Sequence, residues 1–472
     1  MYSVICVLFG PWVPDNFYVG GGPTETTISI LAGILLAIAI GCVLLLPRKR
    51  IIAPVLLILF LVPLGNVLVV GGLHLMTIRI ISLFGWIRLT NIKLSSRTPL
   101  FVGRMNSVDI AFTLCTIFHV LAFVLLWQTS SAVVNQCGYL WSELGMYFYV
   151  RYLIQDEADS YQVMRTFAVV AAVCALEMVY EQARGQNLFG TIVGGISTVP
   201  EIREGRIRSQ GSFGHAILAG TYGATMLPLF WCLLKNKISK VLGAVGLLAS
   251  LVMVATCASS TPILALVAGV VALCCWPIRK YMRWVRWGIV ATIVSLHLVM
   301  KAPVWFLIAR VDVTGSSSGY HRAELVNLFI TRLSDWWLFG TKSNGSWDYA
   351  MFDTSNMYVG QGESGGLLAF VFFIYMICKV FSRAGKARHA FEGNLECERL
   401  IWYVSCSLFA TIVAFFGISY WDQMNIGWFA LLGMASACSA AVLSPKNSDS
   451  AEEISWGSVK RRPNARTLAT HT

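Results

Sequence analysis

The chain has 472 residues, 56% of them hydrophobic and only 13% charged, with a formal net charge of +12 at pH 7. Soluble domains carry roughly 25% charged residues, so the composition excludes a soluble globular protein. The positive excess falls in short clusters between apolar segments, which argues against a nucleic-acid partner. The 13 cysteines form no CxxC pair and lie mostly inside apolar segments, where they read as small buried residues rather than a disulfide framework. The N-terminus carries no basic n-region, so no cleavable signal peptide is expected.

A bilayer core takes about 20 apolar residues per helix. Such segments lie near 27–46, 51–70, 73–90, 107–127, 139–154, 161–180, 212–234, 241–258, 262–278, 288–308, 363–381, 400–418 and 425–443. The expected fold is all-α: a polytopic helical membrane protein of about 12–13 spans, the lower number holding if one early segment is re-entrant. Residues 1–443 read as one membrane domain and 444–472 as a polar, disordered tail.

Basic clusters follow alternate spans: Arg48-Lys49-Arg50; Lys93, Arg97 and Arg104; Lys235, Lys237 and Lys240; Arg279, Lys280, Arg283 and Arg286; Arg383, Lys386 and Arg388; and Lys446, Lys460, Arg461 and Arg462 in the tail. With thirteen spans they share one side, which the positive-inside rule makes cytoplasmic, leaving the N-terminus outside. The acidic loop 155–160 is the exception on that side, and the flanking Arg151 and Arg165 are expected to snorkel to the interface. Two long loops then face outward, about 181–211 and 310–362.

The first outer loop ends in Gly205-Arg206-Ile207-Arg208-Ser209-Gln210-Gly211-Ser212-Phe213-Gly214-His215-Ala216, just ahead of an apolar run. Its arginines sit at headgroup depth, where a guanidinium fork matches a phosphate. In the second loop a flexible turn, Gly315 to Gly319, precedes an expected amphipathic helix from Tyr320 to Trp337. That helix either lies on the outer leaflet or plugs the top of the bundle. Arg322 near its start points to an anion ligand, because a helix N-terminus already presents free donors and a positive dipole end.

The chain contains no GxxxxGK[ST], no GxGxxG and no HExxH, so neither a nucleotide cofactor nor a metal is expected. Ionisable residues within spans are costly and each is a candidate. Arg79 and Glu177 have matched depth and are expected to form a structural ion pair. Lys301 lies at the outer end of its span, facing headgroups or a donor phosphate. Asp109 near the inner interface and His297 on an apolar helix read as structural.

Three motifs resemble those of the O-antigen ligase and O-antigen polymerase superfamily of bacterial envelope proteins. The likeness is strongest over about 184–366. Arg208 to His215 resembles the family's arginine followed by a glycine-aromatic turn and a span. Gly319-Tyr320-His321-Arg322, ahead of a helix ending Asp335-Trp336-Trp337-Leu338-Phe339-Gly340, resembles its second segment. Asp353-Thr354-Ser355-Asn356-Met357-Tyr358, followed by Glu363-Ser364-Gly365-Gly366, resembles the third. Many family members carry a histidine directly before that asparagine, and here the position is Ser355. His321, His215 and Asp353 are the nearby groups that could replace it.

The resemblance implies a multi-pass protein of the bacterial inner membrane with a periplasmic active face. It implies metal-independent glycosyl transfer from an undecaprenyl-pyrophosphate-linked glycan donor to an acceptor hydroxyl, on lipid A-core for a ligase or on another lipid-linked repeat for a polymerase. Catalytic roles fall to Arg208, Arg322, His321 and His215, and substrate contacts to Arg206, Asn356, Tyr358, Lys301 and Asp353. Arginines on the leaving pyrophosphate would stabilise the transition state more than the ground state. A secondary transporter or flippase is the alternative from another class; it would place its charge near the membrane midplane. A structural partner of envelope machinery is the third reading, and it requires no convergence of arginines.

Overall fold

The structure is a computed structural model that describes residues 25–443, other than 96–98, 237, 311–317, 349, 350, 352 and 422. The N-terminal segment, Arg97, Lys237, Gly315 to Ser317 and the tail beyond 443 lie outside the described residues.

The chain is a polytopic helical membrane protein. Each expected span has a helical counterpart. In order these are α1 (Ile30–Leu45), α2 (Arg48–Leu61), α3 (Thr77–Ser95), α4 (Ser107–Trp127), α5 and α6 (Ser130–Leu140 and Met146–Leu153), α7 (Glu157–Arg184), α8 (Ala216–Lys235), α9 (Lys240–Thr256), α10 (Ser260–Cys274) and α11 (Met282–Val299). After the short helices α12 (Leu307–Arg310), α13 (Ser318–Thr331) and α14 (Leu333–Trp336) come α15 (Met357–Ala390), α16 (Leu395–Ala414) and α17 (Met424–Leu443). Five of these are individually long and apolar enough to cross a membrane, or six if the bent pair α10–α11 forms one span.

Several boundaries differ from the sequence reading for identifiable reasons. The second span ends at Leu61, and Val67–Val70 pairs with Leu73–Met76 as a β-hairpin. Its turn residues Gly71 and Gly72 both have positive φ, a backbone that glycine adopts without steric cost. The fifth span starts at Ser130 and is interrupted by a π-helical turn, Trp141–Gly145. The last long loop ends at Met357, where Asn356 caps α15, rather than at 363.

Helix ends gather on two faces. On the basic face Arg48 pairs with Asp159, Lys49 lies 2.9 Å from Asp156, and Glu398 receives both Arg279 (2.8 Å) and Arg388 (3.1 Å). The acidic loop is therefore the counter-charge of the first basic cluster, and it belongs on that side. Arg165 donates to Ser239 there at 2.7 Å. Arg151 does not snorkel: it is fully buried, 3.6 Å from the equally buried Asp109, which also accepts from the Tyr147 hydroxyl at 2.6 Å.

Candidate functional site

The opposite face carries the loops, and the arginine motif there is a built structure. Glu201–Arg203 and Arg206–Arg208 form an antiparallel hairpin, β3 and β4. Glu204 and Gly205 make the turn with φ of 53° and 73°, the pair of positive values a two-residue hairpin loop requires. Partners in register are Glu201 with Arg208 and Arg203 with Arg206. Side chains alternate along a strand, so these four share one face and Ile202 and Ile207 the other. That face carries three cations against one carboxylate.

The segment following the hairpin is buried and tied down rather than flexible. Gln182 of α7 donates to the carbonyl oxygens of Ile207 and Thr256, both at 2.8 Å. Glu181 accepts the backbone N–H groups of Gln210 (2.9 Å) and Gly211 (3.2 Å), while Asn187 donates to the Gly211 carbonyl at 2.9 Å. Ser212 donates to the Phe60 carbonyl at 2.6 Å, and Gln423 to the Ser212 carbonyl at 2.8 Å. Helices α2, α7 and α9, with the loop residues Asn187 and Gln423, thus fix where Arg208 stands.

Arg208 is 3% exposed. One of its Nη atoms lies 2.9 Å from a Glu201 oxygen, and its buried Nε has no hydrogen-bond acceptor among the described residues. A buried, half-satisfied guanidinium is costly, and an added anion would complete it. Arg206 sits beside it on the same hairpin face but is exposed, as is Arg203. The same Glu201 oxygen lies 3.5 Å from His215 Nε2.

His215 is the N-cap of α8: its Nδ1 accepts the Ile217 N–H at 3.1 Å. An accepting Nδ1 carries no proton, so in the neutral ring Nε2 holds it and points at Glu201. Burial first, and the Arg208 charge second, hold the imidazole down to about 4, against the pull of the Glu201 and Asp353 carboxylates. His215 is neutral at pH 7, and its only lone pair is committed to the helix cap. The sequence reading placed it as a base, and this geometry makes it a positioning group.

The Asp353 carboxylate of the third motif acts electrostatically on His215 of the first. His321 brings in the second, with Nε2 3.1 Å from the Asp353 carbonyl oxygen. A carbonyl only accepts, so Nε2 is the donor and Nδ1 keeps the lone pair. Ser355 donates to the Asp353 carboxylate at 2.6 Å. Where the resemblance expects a histidine, the chain has a serine that orients Asp353. The half-buried Arg322 follows His321 and lies one turn inside α13, which begins at Ser318.

Other expected site residues have structural employment. Asn356 is 1% exposed and caps α15 by accepting the N–H groups of Tyr358 (3.0 Å) and Val359 (3.2 Å). Tyr358 donates to the Ile412 carbonyl at 2.8 Å and packs on Phe416. Both hold the helix start and are not poised for substrate. Lys301 is exposed just beyond α11. The expected Arg79–Glu177 pair is absent: Arg79 donates to Ser142 (3.0 Å) and to the His74 carbonyl (2.7 Å), whereas Glu177 accepts the Leu188 N–H at 2.9 Å. The first β-hairpin supplies the carbonyl that draws Arg79 away. No group of three or more His, Cys, Asp or Glu side chains that could hold a metal occurs among the described residues.

Sequence reasoning passed over Glu201 and Arg203. The signal was present as Glu-Ile-Arg-Glu-Gly-Arg-Ile-Arg, alternation about a Glu-Gly turn, which is a hairpin pattern. Comparison with family models, with curated proteins and with solved structures gives no match for this chain.

Proposed function

We propose that this is a membrane glycosyltransferase of the O-antigen ligase kind, with about 12–13 spans and its loop face in the periplasm. It would move a glycan from an undecaprenyl-pyrophosphate carrier to an acceptor hydroxyl, on lipid A-core in the ligase case. The observation that carries the reading is Arg208, buried at a fixed place with an unused Nε, on a face where arginines outnumber carboxylates. The acceptor oxygen attacks the sugar carbon bonded to phosphate. The carbon–oxygen bond to phosphate breaks, and its electron pair leaves with the pyrophosphate. Arg208, with Arg206 and Arg203 on the same hairpin face, meets the charge as it develops, and Arg322, next in sequence to His321, would add to them. His321 Nδ1 takes the hydroxyl proton, and Asp353 holds that ring through its carbonyl.

Deleting the gene in its host and resolving the lipopolysaccharide on a gel tests this. Loss of the whole ladder with carrier-linked polymer accumulating supports the ligase. A single repeat left on lipid A-core identifies the polymerase branch. Complementation with Arg208→Ala should lower transfer by about 10²–10³-fold, the usual loss for one donor to a developing anion. Unchanged lipopolysaccharide, or full complementation by that variant, overturns the proposal.

One observation favours the transporter reading. The α5–α6 span is broken by a π-helical turn carrying Glu143, and α15 is broken at Gly366. Paired broken helices are how secondary transporters build midplane sites. That reading predicts ion-gradient-driven uptake abolished by Glu143→Gln and indifferent to Arg208→Ala.

A further inference from the structure

Helix α11 is unlike the other long helices. None of its residues is buried, and it leaves α10 at a bend of 78°. Its sequence is mostly apolar from Gly288 to Leu296, yet none of the described residues covers that stretch, so in a membrane its neighbour is lipid. Its first turn and the 3-10 turn just before it, Trp276–Tyr281, are strongly basic: Arg279, Lys280, Arg283 and Arg286 fall within eight residues, at the face where Arg48 and Arg388 also lie. Arg279 is committed to Glu398 and stacks on Trp276 at 4.0 Å. Arg283 and Arg286 are exposed and form no ion pair among the described residues. One turn apart, they share one open stripe of the helix surface with Trp287 and Val290.

We propose that this stripe is a binding site for an anionic phospholipid of the surrounding bilayer. The phosphate sits between the guanidinium groups of Arg283 and Arg286, whose planar donors match phosphate oxygens. The Trp287 indole lies at the glycerol level, the depth tryptophan favours at a membrane surface. An acyl chain runs down the Val290 side of the helix. The apolar wall directly beside two unpaired cations selects a lipid, since a free phosphate would leave Val290 without a partner. Bound lipid would cover an otherwise unpacked helix. This site lies on the opposite face from Arg208 and does not depend on the glycosyl-transfer reading.

The test uses the full-length protein in nanodiscs of phosphatidylcholine with a minority of phosphatidylglycerol, with lipid retention read by native mass spectrometry. Wild type should retain phosphatidylglycerol selectively. The double variant Arg283→Gln/Arg286→Gln should bind it roughly tenfold more weakly or worse, as expected for two lost surface cations. Phosphatidylcholine retention should not change, and inorganic phosphate should not compete. Both arginines are exposed, so the variant should fold, and Arg283→Lys/Arg286→Lys, which keeps charge without the fork, should give an intermediate loss. Equal retention of phosphatidylglycerol by wild type and the glutamine variant overturns the proposal, as does displacement by inorganic phosphate.

Discussion

Two histidines share one neighbourhood, and their hydrogen bonds assign them different work. His215 spends its lone pair on the α8 cap, whereas His321 keeps Nδ1 open because Nε2 donates to the Asp353 carbonyl. His215→Asn retains an N-cap acceptor and should preserve most transfer activity, while His321→Ala should lose about 10²–10⁴-fold, the range of a missing general base. Initial rates of glycan transfer in membranes bearing each variant separate the two. Equal losses would return His215 to a catalytic role. Burial also gives His215 a pH signature. Its folded value of about 4 lies below the ordinary value of about 6.5, so the unfolded chain binds more protons between them. Stability from this residue is therefore complete above about 6.5 and falls as the pH drops toward 4. His215→Asn, which cannot titrate, should show a smaller drop in unfolding temperature on acidification than wild type.

At the scale of elements, two motif ends interlock. Gly340 follows α14 with φ of 85°, and a Cβ there would strike the Glu363 carbonyl. Gly366 breaks α15 with φ of 69°, and a Cβ there would come 2.5 Å from the Leu338 carbonyl. Backbone bonds from Thr341 N to the Glu363 carbonyl (2.7 Å) and from Leu367 N to the Trp337 carbonyl (2.8 Å) close the joint. Leu325, Phe329 and Trp336 then pack against Val359, so the amphipathic helix buries its face on the bundle. Gly366→Ala should strain this joint by about 1–3 kcal/mol, the cost of a forced unfavourable backbone. Limited proteolysis should then cut within 318–345 faster than in wild type. The sequence made the apolar helices legible, and the stretch 320–337 as helical although it breaks at Arg332, because hydrophobic length and 3.6-residue periodicity are local. It did not reveal why the glycines recur, since their reason is a carbonyl more than twenty residues away. Likewise, Asn356 looked like a ligand because a cap and a contact residue have the same composition.

At the scale of the molecule, function depends on which face is outside. By the positive-inside rule the face of Arg48, Arg279 and Arg388 is expected to be cytoplasmic, and the ion pairs there include the acidic residues of the loop 155–160. Asp156 and Asp159 neutralise Arg48 and Lys49, so the first cluster is a weaker orienting signal than its raw charge suggests. The exposed Arg283 and Arg286 stay uncompensated and carry more of the orientation. Sidedness can be read directly with an impermeant thiol reagent on intact cells, in a background lacking the exposed Cys137, Cys274 and Cys378. Glu204→Cys at the hairpin tip and Lys342→Cys should be labelled from outside, and Lys49→Cys and Lys386→Cys only after the membrane is opened. The reverse pattern would put Arg208 in the cytoplasm. A carrier-linked polymer displayed outside could not reach it there, and the proposed transfer would fail on geometry before any chemistry was measured.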